Sequence, residues 1–191
     1  MSEKTVASGT VRVLMDATEQ VLGTNGLNAL LNFADKSHLI TNKPDHGFEK
    51  TFTDIEYGQI IVSFYELLGV PGAKAIFRLM GKAIARRVIE LGLFDSFKDL
   101  PPKEKLFKAI ELYTITSGRG AARIEGEKVL YDNDGCTTCY NIRSDVPICT
   151  IINGFLDEVA RWAGLKTAPS VETGCKAMGD TACRYEVVTG A

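Results

Sequence analysis

The chain has 191 residues, 45% of them apolar and 24% charged, with a formal net charge of -2. This balance excludes a disordered polymer and a domain-wide basic surface for nucleic acid. The length is enough for one domain to bury its own core.

The N-terminal stretch MSEKTVASGTVRVLMDATEQ mixes acidic and polar residues into any apolar run, so it does not read as a secretory signal. No run approaches the roughly 18 apolar residues of a membrane span. A cytoplasmic location is the expectation, and there clustered cysteines act as metal ligands or redox groups more often than as disulfides. The odd count of five cysteines points the same way.

Residues 11–23, VRVLMDATEQVLG, predict a helix that ends at Gly23. Asn25 caps a second segment in which Leu27, Leu30, Leu31 and Ala34 recur at helical spacing. The stretch HLITNKPDHGFEKTF, with Pro44 and Gly47, reads as a polar loop. It carries His38 and His46, which lack the fixed partner of a metal-ligating histidine and read as surface residues. Thr53 or Asp54 caps the next helix, anchored by Ile55, Ile61, Phe64, Tyr65 and Leu68.

Pro71 sits in the first turn of a further helix that Gly92 closes. Its apolar residues Ala73, Ile76, Phe77, Met80, Ile84, Val88 and Leu91 form the wide stripe of a central core helix. Lys82, Arg86 and Arg87 on the same helix read as a solvated face. Another helix starts at about Pro102. Periodicity does not separate a filled core from an apolar cavity. Phe64, Tyr65, Phe77, Met80 and, later in the chain, Trp162 therefore stand as candidates to line a pocket for a small apolar ligand.

After Ser117 the pattern changes. GRGAARIEGEKVLYDNDG alternates weakly around Gly126 and ends in a turn signal, so it reads as strand and turn. CTTCYNIR reads as a short strand, and Asp145 as the cap of a helix with Pro147 in its first turn and Cys149 near its start. SVETGCKAMGDTACRYEVV reads as two strands joined at Met178, Gly179 and Asp180. Helices first and a small sheet late predict an α+β fold: a helical portion, residues 1–100, packed on a mainly antiparallel sheet that ends in a β-hairpin.

That hairpin carries the chemistry. Glu172, Cys175 and Cys183 fall on one side of its turn, and Cys149, at a helix start that favours the thiolate, completes four donors. Soft thiolates with one carboxylate suit a tetrahedral zinc ion. The plain alternative is that these cysteines are small buried hydrophobes. Cys136 and Cys139 form a separate C-x-x-C pair. With Cys175 and Cys183 they make a four-thiolate set for zinc or an iron–sulfur cluster; alone they make a redox dithiol, although away from a helix start the usual thiol acidification is missing.

The spacing of Cys149, Glu172, Cys175 and Cys183, with Gly and Asp in the turn, resembles the 4-vinyl reductase-like domain family over residues 149–187. That family includes the sensor domains of phenol- and toluene-responsive activators and is akin in fold to TRAPP subunits and heme nitric-oxide-binding domains. The resemblance implies zinc on those four residues, an apolar pocket near the hairpin within residues 101–191, and a homodimer packed through the helical half. It also leaves a tetrapyrrole as an alternative ligand, in a carrier or in an accessory protein or reductase of bacteriochlorophyll synthesis, with an iron–sulfur cluster as its cofactor, and an adaptor role on the transport-complex analogy. No G-x-G-x-x-G fingerprint, P-loop or Ser/Cys–His nucleophile motif is present. The expectation is a binding domain rather than an enzyme.

Overall fold

Two long helical runs make up most of the first half of the chain, and a glycine breaks each of them. The computed structural model describes residues 3–139, 141–166 and 169–190. Strand β1 (Lys4–Ala7) leads into α1 (Ser8–Phe33), followed by the single turn α2 (His38–Thr41), β2 (Lys50–Thr53) and α3 (Asp54–Glu90). Inside α1, Gly23 has φ 70° and ψ 173°, and inside α3, Gly69 has φ 65° and ψ 173°. Both conformations are strained for a residue with a Cβ. Each run is therefore two helices meeting at a corner, with Pro71 opening the second part of α3 as predicted.

Thr53 caps α3 with a full capping box: its hydroxyl accepts from Glu56 N at 3.1 Å, and Glu56 Oε2 accepts from Thr53 N at 2.8 Å. At the other end, Gly92 N donates to Ile89 O and Leu93 N to Val88 O, the paired bonds of a Schellman stop. By length and composition α3 is apolar enough to cross a membrane, which counting uninterrupted apolar runs misses. The corner at Gly69 and the packing of its buried residues against α1 and α5 make it the core helix instead.

Helix α4 (Pro102–Ser117) precedes the hairpin β3 (Ala121–Glu125) and β4 (Lys128–Asn133); then come α5 (Thr150–Trp162), β5 (Val171–Gly174) and β6 (Cys183–Val188). The sheet runs β3-β4-β6-β5 with every neighbour antiparallel, so the architecture is the α+β arrangement predicted. On β6, Cys183, Tyr185 and Val187 point inward while Arg184 and Val188 are exposed. Tyr185 stands opposite Tyr131 of β4, and their rings stack at 5.8 Å.

One core lies between α1, β1 and the first face of α3, built from Val11, Leu14, Leu30, Ile61, Phe64 and Phe77. The other joins α4 and α5 to the sheet through Leu106, Ile110, Tyr131, Phe155 and Val159. α3 and α5 cross so closely that a Cβ on Gly154 would sit 2.1 Å from Arg78 O, and one on Gly81 would sit 1.9 Å from Ile151 O. Polar groups frame the crossing. Arg78 pairs with Asp157, Arg86 Nε reaches buried Glu158 at 2.9 Å, and Thr150 donates to Lys74 O at 2.8 Å. Arg86 is thereby tied to α5, while Arg87 stays exposed.

Several local expectations are corrected. Residues 38–52 are not all loop: they hold α2 and most of β2, and β2 pairs with β1 through backbone bonds that a polar sequence does not advertise. Thr137–Cys139 form a 3₁₀ turn rather than a strand, and Tyr140 of that segment lies outside the described residues. Asp145 is not the cap of α5; Cys149 is, because residues 145–148 stay non-helical and bring its thiol to the site below. Ile55 and Leu91, read as core anchors, are exposed at 44% and 43%.

Candidate metal centre and adjoining cavity

All five cysteines converge, free and buried, at the junction of the sheet with the start of α5. Cys136 follows the turn that ends β4, and Cys139 closes the 3₁₀ turn. Cys149 is the N-cap of α5, Cys175 follows β5, and Cys183 opens β6. The Cys149 sulfur lies 3.2 Å from Cys136, 2.9 Å from Cys139 and 3.5 Å from Cys183; Cys139 lies 3.6 Å from Cys175 and 3.5 Å from Cys183. Glu172, on β5, completes the group.

Two four-donor sets arise with all ligand atoms within 4.8 Å of one another. One is Cys136, Cys139, Cys149 and Cys183; the other is Cys149, Glu172, Cys175 and Cys183. The second is the set read from the hairpin. The C-x-x-C pair, read as separate from Cys149, lies against it. The set Cys136, Cys139, Cys175 and Cys183 is not one of the two that form among the described residues.

The surroundings hold these donors in place. Cys149 N donates to Glu172 Oε2 at 2.9 Å, doing for the helix start what a side-chain cap does elsewhere. Lys176 N donates to the Cys183 sulfur at 3.4 Å, and Cys175 N to Asp180 Oδ2 at 2.8 Å. The other oxygen of Glu172, Oε1, is buried with no hydrogen-bond partner among the described residues. Burial, followed by the neighbouring Cys175, pushes the Glu172 carboxyl up to about 9. Hydrogen bonds from Cys139 and its neighbours hold a thiolate at Cys136 or Cys175 below the ordinary thiol value. In return, hydrogen bonding with Cys136 pushes Cys139, Cys149 and Cys183 up.

A cavity of about 480 Å³ opens beside the cluster. β1, α3, α4 and α5 supply its apolar wall through Val6, Ile84, Val88, Leu112, Ile152 and Phe155, and Cys136, Thr137 and Thr138 form the side toward the thiols. Buried Asn133 faces it, and its Oδ1 has no hydrogen-bond partner among the described residues. Arg119, at one end, donates to Gly135 O and at 2.9 Å to Asp54 Oδ1.

The residues expected to line a pocket are elsewhere. Phe64, Phe77 and Met80 are fully buried in the first core, and Tyr65 donates to Ile148 O at 2.9 Å. Trp162 packs on Phe94 at 5.3 Å under the Lys105 ammonium. They share a helix or a hydropathy with the residues around this cavity but face other neighbours. Sequence reading missed Asn133 and Arg119, whose only signal is a polar residue at the end of an apolar strand or helix. His38 and His46 are exposed and away from the cavity, and His46 Nε2 lies 3.4 Å from Asp16.

No protein-family model and no curated protein matches the chain. Solved structures do. An H-NOX protein from S. oneidensis in its Fe(II)NO ligation state aligns with a TM-score of 0.60 at 15% identity, covering 97% of this chain and 100% of that one. An H-NOX structure from a study of heme distortion gives 0.62 at 15% identity, over 95% and 93%. An oxygen-binding H-NOX domain related to soluble guanylate cyclases gives 0.58 at 15%, over 95% and 93%. At that identity the likeness establishes the fold, in line with the heme-nitric-oxide-binding kinship expected from the cysteine motif.

Proposed function

We propose that the chain is a small-molecule-binding domain, a sensor or carrier of the 4-vinyl reductase-like type. In this reading, thiolate-bound zinc fixes the β5–β6 hairpin to the start of α5. An apolar molecule bearing one hydrogen-bond donor occupies the adjoining cavity. The observation that carries this reading is the shared wall: Cys136 belongs to the thiol cluster and lines the cavity. The volume falls in the ordinary range for ligand pockets. The chemistry of the wall selects the ligand, since burial of apolar area supplies affinity at about 25 cal/mol per Å² and Asn133 Oδ1 offers one unused acceptor.

Zinc supplies cross-linking without redox chemistry. The chain's own residues do the remaining work. Cys149 ties α5, Cys183 ties β6, and Glu172 both accepts from the Cys149 N–H and presents its second oxygen to the site.

Of the H-NOX neighbours, one is described by its heme distortion and another by an Fe(II)NO state, and the donors at the cavity decide whether a heme fits here. Neither histidine lines the cavity, and the phenol and thiol groups there that could ligate a heme iron are Tyr57, Tyr113 and Cys136. Burial raises both phenols, Tyr113 to about 12, against phenolate ligation. Cys136 is committed to the other thiols. These residues do not fit a histidine-ligated heme.

The test uses 1-naphthol and naphthalene as probes in fluorescence and calorimetric titrations. Both should bind, with 1-naphthol favoured about 5- to 10-fold by its donor. Val88→Trp, which places an indole in the cavity wall, should abolish binding and leave metal content unchanged. Absence of binding to the parent protein, or equal binding to Val88→Trp, refutes the proposed pocket.

A further inference from the structure

We infer that the cysteine cluster is a dinuclear, thiolate-bridged metal site: two soft metal ions share Cys149 and Cys183, with Cys136 and Cys139 terminal on one ion and Glu172 and Cys175 terminal on the other. This rests on the reading above that the cluster binds metal, and goes beyond the single zinc of that reading.

The count of donors leads to it. Two tetrahedra that share an edge require six donors, four terminal and two common. The cluster has five sulfurs and one carboxylate, and its two four-donor sets overlap in two residues, Cys149 and Cys183. Those two sulfurs lie 3.5 Å apart, as the shared edge demands. The terminal donors divide by chain segment: the C-x-x-C turn serves one ion, and the β5 strand with the residue after it serves the other.

A single ion on either set leaves two donors idle. On the hairpin set, Cys136 and Cys139 remain as buried thiols pressed against the bound Cys149 thiolate. On the other set, Glu172 keeps a buried, unpartnered Oε1 beside Cys175. An isolated charge or unmet acceptor in such a place is costly, and a second ion removes the cost. Two divalent ions carry four positive charges against five thiolates and one carboxylate, the same net charge as one ion on either four-donor set, and they leave no donor of the cluster idle. On binding, metal–sulfur and metal–oxygen bonds form and any thiol or carboxyl proton leaves to solvent. No change of oxidation state is needed for zinc or another closed-shell soft ion.

The second coordination layer is consistent with this. Here the Lys176 N–H reaches Cys183, and Glu172 Oε2 is steadied by the Cys149 N–H, leaving Oε1 free for an ion. A sulfide-bridged iron cluster would place inorganic sulfide where Cys149 and Cys183 already stand.

The experiment loads the full chain with zinc, and separately with cobalt, under exclusion of oxygen. Metal per chain is read by elemental analysis, and coupling by electron paramagnetic resonance of the cobalt form. The parent should hold two ions per chain, and its second cobalt equivalent should extinguish the signal of the first. Cys139→Ser and Cys175→Ser, which change terminal donors on opposite ions, should each hold one ion and give an uncoupled cobalt signal. Cys149→Ser and Cys183→Ser should lose both. One ion per chain in the parent, with Cys139→Ser unchanged, overturns the dinuclear site and leaves the single-zinc reading standing. Iron with acid-labile sulfide overturns the thiolate bridge. No metal in the parent overturns both readings, and the naphthol titration then stands as a separate test of the pocket.

Discussion

Replacing Gly154 by Ala strikes the crossing of α3 and α5 on which the centre is built. A Cβ there meets Arg78 O at 2.1 Å, against 3.4 Å where ordinary contact begins, so the helices must part by about 1.3 Å. The atoms met are backbone, including Arg78 C at 2.9 Å and Arg78 Cα at 3.1 Å, so no side-chain rotation relieves the clash. Overpacking of this kind costs about 1–3 kcal/mol, and the backbone target places this case near the top of that range. At about 2–4 °C per kcal/mol for a chain of this size, Tm should fall by roughly 6–12 °C. Cys149 is the N-cap of α5, so moving the helix also draws one thiol away from Cys183 on the sheet. Metal retention against a chelator should therefore weaken in parallel. Gly81→Ala should act alike, and the double variant should lose less than the sum, because the first separation makes room for the second. A Gly154→Ala protein melting within about 1 °C of the parent would refute the argument that close approach, rather than side-chain packing, sets this interface.

Thr53→Ala removes one half of the capping box and should cost about 1 kcal/mol in a denaturant titration. Thr51→Val, which deletes a buried hydroxyl without a partner, should be neutral or stabilising, and a loss comparable to Thr53→Ala would contradict the assignment. Asn133→Val should leave stability unchanged or improved while erasing the preference for 1-naphthol over naphthalene; retention of that preference would place the donor contact elsewhere. In chelator-stripped protein the Glu172 carboxyl stands at about 9, above its unfolded value of 4.5, so its stabilising contribution is complete below the unfolded value and drains away as pH rises. The urea midpoint of that protein should fall between about pH 5 and pH 8, and Glu172→Gln should flatten the fall. With metal bound the slope should reverse, because protons and metal compete for the same donors.

The fold was largely legible because its punctuation is local. Gly23, Thr53, Pro71, Gly92 and Pro102 act on their own neighbours, and each lies at the helix boundary that its chemistry predicts. The short strands β1 and β2 were not legible, since Lys4–Ala7 and Lys50–Thr53 acquire strand character only by pairing with each other across the intervening α1. The hairpin donors could be read because Glu172, Cys175 and Cys183 are close in sequence. That Cys136 and Cys139 join them depends on β4 lying beside β6, which puts Asn133 opposite Cys183. The cavity lining was not legible for a related reason: periodicity marks Phe64, Phe77 and Met80 as apolar on one helix, but only the neighbours decide whether such a side chain meets another or meets space.

The order β3-β4-β6-β5 leaves two strands with one unpaired side each, and the two are guarded by different means. On β3, Arg123 reaches Glu125 at 2.7 Å and also pairs with Asp132, so a strand added there would have to disturb a charged trio. β5 has only four residues, and its pairing slips between Glu172 and Gly174, so it offers a short and irregular template. Growth of the sheet from one molecule into the next is thus disfavoured at both ends. A neighbouring molecule therefore finds no long, regular template on this sheet.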